Sequence, residues 1–181
     1  VRTGYSAVAD EWVPIRPGTD GALLLAVIHE IVAKGLYDRE FVVQYTNGGE
    51  LVNLDAAHDE YGMFVRTEVP QEEGCFDPQN KLWWDRASNR PVVTHSEGCD
   101  PFLLGEFRLA DGTPVKPAFQ LLQERVQDYT PEWAEAITGI PAATIRQVAR
   151  LYAKGPNSII YWGMGVSQHT PPQFCNDSNF G

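Results

Sequence analysis

Two groups of residues have the types and spacing to hold a ligand. The first is Arg16-Pro17-Gly18-Thr19-Asp20-Gly21, a Pro-Gly turn between the stretch Ala9 to Ile15 and a long apolar run that begins at Ala22. A strand, a tight turn and a helix N-terminus together cradle an anion or a polar ligand, because the first backbone N–H groups of a helix are unpaired and the dipole is positive there. The carboxylate of Asp20 can accept paired donors, such as the N1–H and N2–H of a guanine. The same residues also read as a plain cap, with Thr19 or Asp20 closing the helix start and nothing bound. Spacing alone favours the plain cap, since such caps are common. The second group is Gly163-Met164-Gly165 with Gln168 and His169, at the end of the apolar run Ser158 to Val166. Ligands of α/β sheets sit beyond the carboxyl ends of strands, where glycines admit the backbone closely, but a lone GxG is a weak signal and reads more readily as a structural turn.

No nucleophile–base pair stands out. Ser167 and His169 are too local to suggest a triad, which is a matter of geometry. Asp59-Glu60 and Glu72-Glu73 fall in polar, loop-like segments and read as solvated surface. No catalytic residue is assigned, and no metal ligand. Cys75 and Cys99 share similar settings, "GCFDP" and "GCDP", with His95 four residues before Cys99, but there is no CxxC pair and no evident fourth ligand. They read as free thiols or, in an oxidising compartment, as a disulfide.

The elements that must position these residues follow from periodicity. Ala9 to Ile15 reads as a short strand. Leu24, Val27, Ile28, Ile31 and Val32 recur at helical spacing from Gly21 to Lys34, and Gly35 stops that helix. Asp38 caps a second helix with Phe41, Val42 and Tyr45 on one face. From about Gly48 to Val115 helical spacing vanishes and strand-like pieces remain, "MFVRTEV", "KLWWD" and "RPVVTH", with hairpins around "DRASNRP" and "LADGTP". Trp83-Trp84 reads as one ring inward and one along the surface. Helices return with "AFQLLQERVQDYT", with "PEWAEAIT" capped by Thr130 and ended by Gly139, and with "PAATIRQVARLYAKG", striped by Ile145, Val148, Ala149 and Tyr152. Ser158 to Val166 reads as a buried strand. The class is α/β, with an irregular, β-rich insertion over 49–116.

The 181 residues are 43% hydrophobic, enough for a real core, and carry a formal net charge of −10. That balance disfavours nucleic acid and anionic membranes as partners, since both are bound by neutralising their negative charge. No segment approaches the length of apolar chain needed to span a bilayer. "VRTGYSAVADEW" lacks the apolar core of a signal peptide, and the chain reads as a piece of something longer.

Three stretches, in this order, resemble the molybdenum/tungsten oxidoreductases of the dimethyl sulfoxide reductase family, with its formate dehydrogenases: Ala9 to Gly48, Tyr129 to Ala153 and Ser158 to Thr170. The resemblance implies one fragment, residues 1–181, of a Rossmann-like three-layer α/β domain in the catalytic subunit. It also implies a bis-molybdopterin guanine dinucleotide cofactor carrying Mo or W. Pro17, Gly18, Thr19 and Asp20 then inherit contacts to the guanosine end. Gly163, Met164, Gly165, Gln168 and His169 inherit contacts on the pterin side. The family's 4Fe-4S cysteine motif and its metal-ligating residue lie upstream of the matching segment, so neither falls in this chain, and none of its three cysteines matches them. The insertion resembles the longer branch that includes thiosulfate- and polysulfide-reductase-like enzymes.

The implied partners are the rest of the catalytic subunit, with iron–sulfur electron-transfer and membrane-anchor subunits beyond it. The implied setting is bacterial or archaeal, cytoplasmic or periplasmic. Two other readings stand beside this one: an isolated, non-catalytic nucleotide- or cofactor-binding module, and a non-redox, hydratase-like member of the family.

Overall fold

The computed structural model describes residues 4–67, 80–155 and 158–161. The chain divides into two compact units, residues 1–37 with 126–181, and residues 38–125. The described elements are mixed α and β: helices make the first unit, and every described strand lies in the second.

The first unit is built on α1 (Asp20–Ala33), α4 (Pro131–Thr138) and α5 (Ala142–Lys154), with a short 3-10 turn at Gly4–Ala7. Its core joins Ala26 and Val27 of α1, Ala134 of α4, Ile140, and Ile145 and Ala149 of α5. Ala22, Ala26, Ala134 and Ala149 are all 0% exposed. Side chains this small let the three helix backbones approach closely, so the contact face of α1 is Ala22, Ala26, Val27, Glu30 and Val32. Leu24 is only half-buried and Ile28 is exposed. The expected stripe therefore holds at Val27 and Val32, with Ile31 packed against the core, but not at Leu24 and Ile28. α1 is apolar on nearly every side, and close packing, which hydropathy does not encode, chose the face. In α5 Ile145 and Ala149 are buried as expected, but Tyr152 is exposed.

The caps explain where these helices stop and start. The Thr130 hydroxyl accepts from Trp133 N–H at 3.2 Å with Pro131 at the first turn, and Gly139 ends α4 in the left-handed region at φ +75. Pro141 precedes α5 without a side chain able to cap it. The carboxylate of Glu135 takes that role, accepting from Ala142 N–H at 3.0 Å.

Ala9 to Ile15 is not a strand. Val13 and Ile15 keep their alternation by packing against the helical core, and the segment is extended without a ladder partner among the described residues. Ser158–Tyr161 also forms no strand, and Ile159, Ile160 and Tyr161 are exposed. Apolar composition provides the material for a buried strand, but only a paired neighbour makes one.

The second unit holds α2 (Arg39–Tyr45), α3 (Ala118–Val126, whose last residue belongs to the first unit) and two antiparallel sheets. One sheet has the order β1-β5-β4, from Leu51–Asn53, Pro114–Pro117 and Phe107–Arg108, and pairs Leu51 with Pro117 and Phe107 with Val115. The other is the hairpin β2 (Leu82–Asp85) and β3 (Arg90–Val93), with Trp83 opposite Val92. Both expected hairpins form, at "DRASNRP" and "LADGTP". "MFVRTEV" contributes only the isolated bridges of Phe64 and Arg66 over its described residues.

The core of this unit is Leu51, Leu82, Trp84 and Val115, with Phe107 stacked on Trp84 at 4.6 Å. Both tryptophans are buried, which corrects the expectation of one ring along the surface. Trp83 lies against Gly49 and His95, on the face of the hairpin opposite Trp84. Asp38 caps α2 through Phe41 N–H at 3.0 Å, but Phe41 and Tyr45 are exposed and meet each other at a tilt, 5.3 Å apart, instead of entering a core.

Candidate functional site

Arg16 organises the turn before α1. Its backbone N–H donates to Thr138 O at 3.0 Å, and its Nη1 donates to Ala136 O at 3.0 Å and Ile137 O at 3.1 Å. These are carbonyls of the last turn of α4, which have no helical partner and lie at the negative end of the dipole, so a guanidinium satisfies both needs. Gly139 makes room for it: a Cβ there would lie 3.3 Å from Arg16 Nε.

Pro17 and Gly18 then reverse the chain, with Gly18 at φ +77, a conformation that glycine adopts freely. The Thr19 hydroxyl donates back to Arg16 O at 2.7 Å and closes the turn. Thr19 O receives Ala22 N–H at 3.1 Å and Leu23 N–H at 3.3 Å, which starts the helix. Thr19 thus holds the N-cap position, yet its side chain makes no cap hydrogen bond. It caps the helix by position only: its hydroxyl is turned toward Arg16 O, and its oxygen accepts from no helix N–H.

Asp20 is the first residue of α1, half-buried, with no hydrogen bond or ion pair among the described residues. The amides of Asp20 and Gly21 find no backbone carbonyl there either, as a helix start requires. A carboxylate and two free N–H groups are thus presented at the end of a turn anchored to a second helix. That set can accept from paired N–H donors and donate to an acceptor beside them.

Gly163, Met164, Gly165, Gln168 and His169 lie outside the described residues, as do Cys75 and Cys175. The structure therefore locates only one of the two candidate groups. Cys99 is a free, half-buried thiol, raised above its ordinary pKa by burial and then by the nearby Asp85 carboxylate. No cluster of three metal-ligating residues exists among the described residues, and His95 is spent on Trp83, edge-on at 4.7 Å. A cavity of about 330 Å³ lies over β4 and β5, lined in part by Glu106, Arg108 and Lys116. Lys116 is held by Glu106 at 2.7 Å and Glu124 at 3.0 Å, which raise its pKa, and none of the candidate residues lines this cavity.

Two roles escaped the sequence reading. Arg16 stood in the first candidate group, but not as the anchor of the turn, because the carbonyls it serves lie 120 and 121 positions away. Glu30 fell on the polar side of a helical wheel but is 2% exposed, facing Arg146 at 3.8 Å and Arg150 at 3.7 Å from α5.

Comparison with known proteins decides the family. The family model described as molybdopterin oxidoreductase matches residues 2–174. This chain belongs to the molybdopterin oxidoreductase family. Over 149 residues it is 65% identical to a sulfite dehydrogenase subunit of Allochromatium vinosum, covering 82% of this chain and 15% of that protein. The perchlorate reductase alpha chain of Dechloromonas aromatica is 35% identical over 188 residues, covering 88% of this chain and 20% of that one. Formate dehydrogenase H of Escherichia coli is 50% identical over 50 residues, covering 28% of this chain and 7% of that one. The chain therefore spans no more than 20% of the length of these relatives. No helix among the described residues is long and apolar enough to cross a membrane.

Proposed function

We propose that this chain is the part of a Mo/W oxidoreductase catalytic subunit that grips the guanosine end of a bis-molybdopterin guanine dinucleotide, within a Rossmann-like three-layer domain. The observation that carries the reading is the Asp20 carboxylate. It is unpaired among the described residues and set at the start of a 14-residue helix on a turn pinned from both sides. A guanine edge presents N1–H and N2–H side by side, which one carboxylate accepts together. Pro17 and Gly18 shape the approach and Thr19 closes the turn. Gly163, Met164, Gly165, Gln168 and His169 are assigned to the pterin side.

The bound group supplies two-electron redox chemistry at its metal. The residues of this chain bind and orient it. A 4Fe-4S cluster, the metal-ligating residue and the electron-transfer and membrane-anchor partners are proposed for the parent protein outside this segment. The first two relatives are each one chain of a multi-chain enzyme by name, which supports such an assembly. The high identity to a sulfite dehydrogenase chain supports sulfite oxidation to sulfate as the parent reaction, with water supplying the oxygen, two protons released and two electrons passed to an external one-electron acceptor.

Both parts are tested on the full-length, cofactor-loaded enzyme. Wild type is expected to reduce ferricyanide in a sulfite-dependent manner. Asp20→Ala is expected to lose charge-assisted hydrogen bonds of about 1.5–3 kcal/mol, and so to shed its cofactor at least tenfold faster. An Asp20→Ala enzyme with undiminished GMP, released by acid hydrolysis, and undiminished metal would end the guanine assignment.

A further inference from the structure

We propose that Arg16 is a positioning residue for the guanosine end of the cofactor, acting through the turn that presents Asp20; this rests on the guanine reading above. Arg16 is the only member of the turn bonded in both directions among the described residues. Toward α4 it makes three hydrogen bonds of 3.0 to 3.1 Å, two from one guanidinium nitrogen and one from its own amide. Toward α1 its carbonyl receives the Thr19 hydroxyl at 2.7 Å. Only Pro17, Gly18 and Thr19 separate it from the carboxylate, and Gly18 has no Cβ to stiffen the path.

Without the guanidinium, the carbonyls of Ala136 and Ile137 lose their partner and the turn keeps only the backbone bond from residue 16 N–H to Thr138 O. Asp20 itself is untouched chemically but is held less firmly in place. Preorganisation of this kind acts on ligand retention, because a group already in its bound position gives up less freedom on binding. Arg16 need not touch the cofactor for this.

The test uses the full-length holoenzyme with Arg16→Ala, Arg16→Lys, Asp20→Ala and the double variant Arg16→Ala/Asp20→Ala. The readout is the rate at which GMP, assayed per polypeptide after acid hydrolysis, is lost on dialysis; thermal midpoints are recorded beside it. Arg16→Ala is expected to speed the loss roughly tenfold, the scale of one hydrogen bond to a charged group. Arg16→Lys, which keeps a cationic donor for the α4 carbonyls, is expected to recover most of that.

In the Asp20→Ala background, Arg16→Ala is expected to add less than about twofold, since residues acting through one contact are non-additive. A lower thermal midpoint with an unchanged rate of GMP loss overturns the proposal, as does a full tenfold effect added on top of Asp20→Ala. If Arg16→Ala does not accumulate as folded protein, the Arg16→Lys pair with and without Asp20→Ala is read by the same rule. Asp20→Ala that keeps its GMP overturns the guanine reading itself. Asp20→Ala that sheds GMP beside an Arg16→Ala that keeps it overturns only the role of Arg16.

Discussion

At the scale of single residues, chemistry and position parted company. Asp20 was visible in the sequence as an acid at a helix start, and the structure left it there without a partner among the described residues. Thr19 was equally visible, but its hydroxyl turned to the carbonyl of Arg16 and not to the helix. Asp85 is the clearest case of a side chain whose environment makes it. Its buried carboxylate accepts from Ser88 Oγ at 2.6 Å, Ser88 N–H at 2.7 Å and Asp100 N–H at 3.1 Å, which together hold its pKa well below the ordinary 3.8. Because the folded-state value is depressed, the stabilisation is complete above the unfolded-state value and is lost as pH falls below it. Asp85→Asn is therefore expected to lower the thermal midpoint near neutral pH by roughly 2–4 °C and to shrink that difference in acid. Circular dichroism melts at about pH 7 and pH 3 check this, and a difference that grows in acid contradicts it.

At the scale of elements, helix ends were more legible than helix faces. Thr130-Pro131, Asp38 and Gly139 act locally, within three or four residues, and their caps form where spacing puts them. Faces are chosen by distant partners, so α1 buries its alanines and Glu30 beside Val27 and Val32 and leaves Ile28 exposed. Gly139 joins the two kinds of information. It ends α4 in the left-handed region and leaves the space that Arg16 fills. Gly139→Ala is expected to cost about 1–2 kcal/mol of stability for the left-handed backbone alone. If Arg16 anchors the turn, it also speeds GMP loss in the holoenzyme. Urea unfolding and the GMP assay separate the two effects; a variant as stable as wild type would contradict the first.

At the scale of the molecule, there are two cores and a formal net charge of −10. Ile145 and Leu51 are both 0% exposed, one in the helical core and one in the sheet core. Truncating either to alanine is expected to cost about 2–5 kcal/mol, whereas Leu151→Ala, at an exposed position, should stay within about 0.5 kcal/mol. Denaturant titration of each variant decides it. A Leu151→Ala loss as large as the other two would mean that the exposed end of α5 is essential to the helical core. The change of texture near Gly48 and Val115 foretold where strands lie, since turn residues and alternation are local signals. The unit that holds the strands nevertheless extends further, over residues 38–125, because α2 and most of α3 belong with them.

The sequence by itself determined the family, the placement of most helices and both hairpins, and the acidic character of the chain. All of these are written in neighbouring residues or in a linear order of motifs. Tertiary structure alone decided that Ala9 to Ile15 packs on helices without becoming a strand, that Trp83 and Trp84 are both buried, and that Arg16 ties the Asp20 turn to the end of α4. Each of those depends on groups far apart in the chain, brought together by closeness of packing and by unpaired carbonyls seeking a donor. No local pattern carries that information.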